Sequence, residues 1–237
     1  MGNEASTQNG GEEGGLIIEG LETPESEIEF SDLCERKVKE ALDMLSWSDW
    51  QPIAFGDDPS GKVQLFDKPG TEENGLSILK VVTTIQCPAA AVMELVSSLD
   101  LETLQTFEDQ TLDVRVLREI NESTQVVLRH IKSPSPLSNR EVAALRHTRV
   151  LEDGSHLLLG CSINVKGLPE TPSFVRANAL VACWHITPNP DGSCTVVRLG
   201  QVDPRGSIPL MVVNAFKQKG GLAILKLKVI LEKKFAQ

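Results

Sequence analysis

The sequence contains no tyrosine and no hydrophobic run of the length that a membrane-spanning helix needs, which is roughly 18 to 20 residues. Met1 is followed by acidic and polar residues rather than by the basic and apolar regions of a secretory signal peptide. We therefore expect neither secretion nor a membrane span. The expected location is the cytoplasm, with peripheral contact to membranes.

The five cysteines are widely spaced and include no C-x-x-C pair. This pattern is typical of reduced, buried thiols rather than of a disulfide framework. The four histidines show no metal-ligand spacing, so neither a metal nor another cofactor is expected. A nucleophile elbow, a phosphate-binding glycine loop and an H-E-x-x-H motif are also missing, which argues against an enzyme.

Positive charge is missing from residues 1–32, which contain eight Glu and one Asp. Because residues 1–27 are also rich in Gly, Ser, Thr and Asn, we predict that they form a disordered acidic tail. The first six residues fit the M-G-x-x-x-[ST] pattern for myristoylation of Gly2. The alternative is a coincidental match, since an acidic tail is repelled by anionic lipid.

The last segment has the opposite charge, because residues 209–237 contain six lysines and one glutamate. No motif for reading nucleic acid accompanies these lysines, so nucleic acid is not an expected partner. An anionic membrane surface, contacted transiently, is the expected partner instead.

A chain of 237 residues suits one hydrophobic core, so we expect a monomeric single domain over residues 28–237 after the tail. Ser26 and Glu29 form a capping-box pattern before a helix predicted over 28–46. Three strands, one or two helices and six strands follow, and Pro209 begins a long helix to about residue 234. The strands with predicted bounds are 62–66, 77–84, 112–120, 124–131, 142–151, 156–165, 175–187 and 195–202.

This order of elements predicts the α+β class. One face of an antiparallel sheet with many strands needs cover, and a terminal helix of 26 residues is about 39 Å long, enough to lie across it. We expect a curved antiparallel sheet wrapped around the C-terminal helix, an arrangement that can enclose a cavity.

Four stretches carry more specific motifs. They are residues 135–146, with Pro136, Ser138, Arg140, Glu141 and Arg146; residues 175–188, with Val175-Arg176-Ala177, Trp184, Ile186 and Pro188; residues 202–209, Val-Asp-Pro-Arg-Gly-Ser-Ile-Pro; and Phe107-Glu108. They resemble the P-x-S-x-R-[DE], V-R-A…W-x-I-x-P, V-D-P-[KR]-G-x-x-P and Trp-[Asp/Asn] motifs of the START (StAR-related lipid transfer) domain family. The resemblance covers about residues 28–235 and implies a helix-grip fold that encloses one lipid molecule.

Arg146 and Arg129 are the candidate lipid-binding residues, with Gln125 as a weaker one. Arg146 shares a strand face with apolar residues, so its guanidinium points toward apolar surroundings. The resemblance implies a cavity arginine at Arg146 and an acid on the preceding strand, and we align Arg129 with the place of that acid. Two arginines together favour an anionic group such as phosphate. The alternative is that Arg146 pairs with Glu119 or Glu141 and that Arg129 is solvated.

The predicted last helix is interrupted by Gly220 and Gly221, each of which costs about 1 kcal/mol relative to alanine in a helix interior. We interpret the pair as a hinge that lets the helix act as a lid. Lys219, Lys226 and Lys233 recur every seven residues, which favours one membrane-contacting face. The alternative is a core-packed helix with a solvated lysine face, and both can hold together.

These patterns predict a protein that binds one phospholipid, sterol or similar apolar ligand and transfers it inside the cell. The alternative is a lipid sensor or adaptor that does not transfer its ligand but controls a protein partner.

Overall fold

The computed structural model describes residues 16–58, 60–69, 76–206, 208 and 210–236, without the side chains of 210–216. In this part the chain forms four helices and ten strands. The helices are α1 (Glu27–Ser46), α2 (Ala89–Val96), α3 (Leu101–Gln105) and α4 (Leu210–Phe235). The strands are β1 (Gln51–Ile53), β2 (Val63–Lys68), β3 (Ile78–Ile85), β4 (Thr111–Asn121), β5 (Thr124–Ile131), β6 (Asn139–Val150), β7 (His156–Ser162), β8 (Phe174–Arg176), β9 (Asn178–Pro188) and β10 (Cys194–Asp203).

The strands form one sheet in the order β1-β2-β3-β10-β9-β7-β6-β5-β4, with antiparallel neighbours, and β8 pairs in parallel with β6. The predicted α+β class is therefore confirmed. One correction concerns residues 175–187, which form two strands rather than one. Ala177 donates its N–H to the carbonyl of Glu141, whereas Ala179 donates to the hydroxyl of Ser162, so the chain leaves β6 between these residues.

The sheet is covered on both faces by helices. Along β9, Cys183 packs in a cluster with α1, whereas Trp184 and Ile186 pack in a cluster with α4, because successive side chains of a strand point to opposite faces. The predicted capping box is present at the start of α1, where Glu29 N–H donates to Ser26 Oγ at 3.3 Å and Ser26 N–H donates to a Glu29 carboxylate oxygen at 2.9 Å. No helix in the described ranges is long and apolar enough to span a membrane.

Residues 16–26 are docked against the body of the domain. The Asn164 side chain accepts the N–H of Ile18 at 2.8 Å and donates to the carbonyls of Ile18 and Leu21 at 3.0 and 2.9 Å. Leu16 donates its N–H to the carbonyl of Leu168, and the side chain of Ile18 is buried. The prediction of a disordered tail over 1–27 is therefore wrong for this segment. Residues 1–15, including Gly2, lie outside the described part of the chain.

All five cysteines are buried and unpaired, as their spacing predicted. Cys34 of α1 and Cys161 of β7 lie in the core between α1 and the sheet, Cys183 lies nearer the end of α1, and Cys87 and Cys194 lie in the core shared with α4. Burial raises the pKa of Cys161, Cys183 and Cys194 to about 12, because a thiolate is poorly solvated there.

Candidate functional site: an internal cavity with a charged end

A cavity of about 590 Å³ lies between the sheet and α4. Apolar residues line it from both sides, with Leu79, Ile131 and Val142 on the sheet and Leu222 and Ala223 on α4. From the sheet side the lining also includes residues 107–111 after α3, Arg129 of β5, Ser133 just beyond it, Arg140 of β6, and Leu76, Ser77 and Ala177. β10 and its turn into α4 contribute Arg198, Gly200, residues 202–204, Gly206 and Ile208. α4 adds Lys217, Lys219, Gly220 and Lys226.

Strand alternation explains why charged residues reach this cavity. On β5 and just beyond it, Arg129, Ile131 and Ser133 line the cavity at every second position. In the neighbouring strand Val142 pairs with Arg129 and Arg140 pairs with Ile131, so all four side chains share one face of the sheet.

Glu108 joins two arginines at the polar end of the cavity. One of its carboxylate oxygens lies 2.6 Å from Arg129 Nη2 and the other lies 2.8 Å from Arg198 Nη2. Arg129 also donates to the Thr111 hydroxyl at 2.8 Å, and the Arg198 guanidinium lies 4.8 Å from the ring centre of Trp184. Burial raises the pKa of the Glu108 carboxyl, but the charges of Arg129 and Arg198 outweigh burial and hold that pKa at about 2. Glu108 is therefore an anion at neutral pH.

Three other polar atoms at the cavity are buried without a hydrogen-bond partner in the described part of the chain. They are Arg129 Nε, Gln110 Nε2 and Ser133 Oγ. Buried polar groups are normally hydrogen-bonded in folded proteins. These atoms are therefore candidates for contact with a bound ligand.

Arg146 and Gln125 bind each other. Gln125 pairs with Arg146 across β5 and β6, and Arg146 Nη1 donates to Gln125 Oε1 at 2.8 Å. Arg146 Nη2 donates to the carbonyl of Ser97 at the end of α2. Burial first, and the charge of Arg129 second, lower the pKa of Arg146.

Several expectations about these arginines need correction. The residue opposite Arg146 is Gln125, not Arg129, which lies opposite Val142. Arg146 pairs with neither Glu119 nor Glu141, and Arg129 is paired with Glu108 rather than solvated. Of the three residues predicted to contact lipid, only Arg129 lines the cavity.

Arg140 holds the turn that leads into α4. Its guanidinium donates to the carbonyls of Pro204 at 2.7 Å, Arg205 at 3.1 Å and Ser138. Arg205 and Gly206 both have positive φ, at 56° and 74°. Arg140 of the first motif therefore supports the turn at residues 204–206 of the other motif.

α4 runs from Leu210 to Phe235 without interruption, so the expected break at Gly220 and Gly221 is wrong. Its lysines divide into two groups. Lys217 pairs with Asp67 at 2.9 Å, Lys226 pairs with Asp109 at 2.7 Å and Lys228 pairs with Glu232, whereas Lys219, Lys233 and Lys234 are exposed.

Sequence reasoning did not assign a ligand role to Glu108, Gln110, Ser133 or Arg198. Glu108 was noted only through the Phe107-Glu108 motif, and Arg198 carries no local signal, because its partner comes from a distant segment. Within the described ranges, no group of three His, Cys, Asp or Glu side chains is arranged as a metal site would need.

An antiparallel sheet closed by a C-terminal helix over an internal cavity defines a helix-grip, ligand-binding type of domain. A family model of the START domain matches residues 66–229, so the chain belongs to the START domain family. The family predicted from the sequence motifs is thereby confirmed.

Individual relatives agree with this membership. START domain-containing protein 10 of Mus musculus and of Homo sapiens is 26% identical over 119 residues, which is 50% of this chain and 40% of each relative. The match thus spans two-fifths of the length of these relatives. Human StAR-related lipid transfer protein 5 has a similar structure, with a TM-score of 0.79 and 17% identity over 90% of this chain and 100% of that one. Human STARD10 is also similar, with a TM-score of 0.68 and 19% identity over 92% of this chain and 84% of that one. These two structural likenesses concern the fold.

Proposed function

We propose that the chain binds one lipid molecule in the cavity and transfers it between membranes in the cytoplasm. The observation that carries this proposal is the cavity of about 590 Å³ inside a START domain, with apolar residues on both sides and one charged end. Pockets of ~300–1,000 Å³ are typical for a single small ligand. The names of lipid transfer protein 5 and of the other START-domain relatives support the same function.

The division of the lining suits an amphipathic ligand. Leu79, Val142 and Leu222 offer an apolar surface to a hydrocarbon portion, and burial of such a portion is favourable by about 25 cal/mol for each Å². We propose that Arg129 and Gln110 contact the polar portion, since both line the cavity and each has a buried N–H donor without a partner among the described residues. No bond needs to be broken for this function, and we propose no catalytic step.

α4 is the element that we propose as the lid. Its C-terminal half is anchored by the buried residues Ile224, Leu227 and Leu231, whereas residues 217–226 contribute to the cavity wall. Movement of this helix opens the cavity, and the exposed Lys219 and Lys233 are suited to transient contact with an anionic membrane. The protein is proposed to act as a monomer.

The test is lipid occupancy and transfer by the purified full-length chain. Native mass spectrometry with extraction of co-purified lipid measures occupancy, and movement of a fluorescent lipid between two vesicle populations measures transfer. Leu222→Trp fills the cavity and should abolish both. Val229→Trp adds the same side chain at an exposed position of α4 and should leave occupancy unchanged.

The outcomes separate the candidate functions. Binding without exchange between vesicles would favour a sensor or adaptor that controls a protein partner. Absence of bound lipid from the wild type, or equal occupancy in Leu222→Trp, would contradict the proposal.

A further inference from the structure

The polar end of the cavity has an excess of positive charge. Glu108 is the shared partner of Arg129 and Arg198, and neither arginine has another acidic partner among the described residues. One carboxylate neutralises one guanidinium, so one positive charge remains at a half-buried position. A charge of this kind is stabilised by an anion that binds beside it.

The same wall also presents unused hydrogen-bond donors. Arg129 Nε and Gln110 Nε2 are N–H donors, and Ser133 Oγ can donate or accept. Gln110 is placed next to β5, because its carbonyl accepts the N–H of Lys132 at 2.8 Å, between Arg129 and Ser133 along the chain. Acceptor oxygens of a ligand bound at this end would satisfy such donors.

The described lining residues offer little to a quaternary ammonium group. Phe107 is the single aromatic side chain among the described lining residues, and its ring packs edge-on against Trp184 with centroids 6.4 Å apart. The other two acids of the lining are also engaged, since Asp109 pairs with Lys226 and Asp203 pairs with Arg205. Neither a cage of aromatic faces nor an unengaged carboxylate is present in this part of the lining.

We infer that the polar end binds the phosphate of an anionic phospholipid, with Arg129, Gln110 and Ser133 as its contacts, in preference to a zwitterionic choline head. The inference rests on the proposed lipid-binding function and specifies the ligand class for the same cavity. Arg129 provides both charge and a second N–H beside its bond to Glu108, which suits the acceptor oxygens of a phosphate.

The experiment is a competition between two lipids that differ in the head alone. Full-length protein is incubated with vesicles containing equal amounts of phosphatidate and phosphatidylcholine with identical acyl chains, and the lipid bound to the reisolated protein is quantified by mass spectrometry. We expect phosphatidate to be enriched about tenfold, which corresponds to about 1.4 kcal/mol.

Two variants test which residues cause the preference for phosphatidate. Arg129→Gln should bring the bound ratio close to that of the vesicles, and Arg198 keeps Glu108 paired in this variant. Gln110→Ala removes one donor without changing a charge and should lower the enrichment in part. The matched control is Arg115→Gln, since Arg115 is exposed, pairs with Asp113 and does not line the cavity. Enrichment that is unchanged in both Arg129→Gln and Gln110→Ala would overturn the assignment.

The remaining outcomes separate this inference from the proposed function. Equal binding of both lipids, or a preference for phosphatidylcholine, would overturn the phosphate inference and leave lipid binding intact. Absence of both lipids would overturn the phosphate inference, and the proposed function falls with it only if native mass spectrometry also finds no co-purified lipid of any class. Inorganic phosphate is titrated alone by calorimetry, and saturable binding of it without phosphatidate enrichment would identify a soluble phosphate ligand instead of a lipid head.

Discussion

Gly221 of α4 lies so close to Leu65 of β2 that a Cβ atom on the glycine would come within 2.9 Å of the leucine Cδ1 atom. The same Cβ would lie 3.0 Å from Cε2 of Phe55. At Gly220 the near atom is Cδ2 of Leu79, also at 2.9 Å, which is the end of one flexible side chain. Glycine at 221 therefore permits α4 to lie close to the sheet, and no break in the helix is required to explain it.

Gly221→Ala should destabilise the protein despite the higher helix propensity of alanine. The propensity gain is about 1 kcal/mol, whereas overpacking against Leu65 and Phe55 costs about 1–3 kcal/mol. Gly220→Ala is the matched variant and should be close to neutral, because Leu79 can move. Urea unfolding at neutral pH measures both. A stabilised Gly221→Ala protein with slower lipid transfer would instead support a hinge.

Arg146→Leu should reduce stability by about 1–3 kcal/mol and leave the composition of bound lipid unchanged. The substitution removes the donor to Gln125 Oε1 and to the carbonyl of Ser97, and buried acceptors without donors are destabilising. Arg149→Leu on the same strand is the control, since it breaks a pair with the exposed Glu35 that is worth at most about 1 kcal/mol. Loss of bound lipid from Arg146→Leu without a change in the free energy of unfolding would show instead that Arg146 contacts the ligand.

The charge of Glu108 should make stability depend on pH in the acid range. Its pKa of about 2 in the folded protein lies below the value of about 4.3 for an unfolded glutamate. The stabilisation, on the order of 3 kcal/mol, is complete above pH ~4.5 and is lost as pH falls toward 2. Glu108→Gln should flatten this part of a stability–pH profile, and Glu122→Gln in an exposed turn should not. Parallel profiles for Glu108→Gln and the wild type would contradict the ion-pair account.

Asn164→Ala should release residues 16–22 from the domain while α1 remains folded. Three hydrogen bonds from this side chain hold Ile18 and Leu21, and the substitution leaves those backbone groups without partners. Amide hydrogen exchange should rise at Ile18 with little change at Phe30. The control, Asn121→Ala, removes a bond confined to a turn. Retained protection at Ile18 would show that its burial alone fixes the segment.

Local sequence patterns predicted most elements of the fold, because they depend on short-range periodicity and caps. β5 has the predicted bounds, and α1 and α4 agree within one residue. The division of residues 175–187 was missed, since it depends on the parallel pairing of β8 with β6, which joins distant parts of the chain. The docking of residues 16–26 was missed for the same reason, because its hydrogen bonds come from Asn164.

The sequence predicted that Arg129 contributes to the site, but it did not predict which residues the arginines contact. Alternation placed Arg129 and Gln125 on one face of their strand and Arg146 on the apolar face of the next strand, but it does not give the register between two strands. That register pairs Gln125 with Arg146 and moves Arg129 toward Glu108. The segment that joins β5 to β6 sets the register, and its path depends on contacts such as that of Ser133 N–H with Asn139 Oδ1.

The distribution of buried thiols has a practical consequence for following motion in solution. A thiol reagent attacks the thiolate, and a pKa of about 12 leaves almost none for Cys161, Cys183 or Cys194 at neutral pH unless the surrounding structure opens. The labelling rate of each of these cysteines therefore measures how often its own part of the core opens. Labelling of Cys194 reports opening of the core that α2 and α4 cover, and labelling of Cys161 reports opening of the core that α1 covers. The wild-type chain can therefore reveal which of the two cores opens first when a vesicle is added.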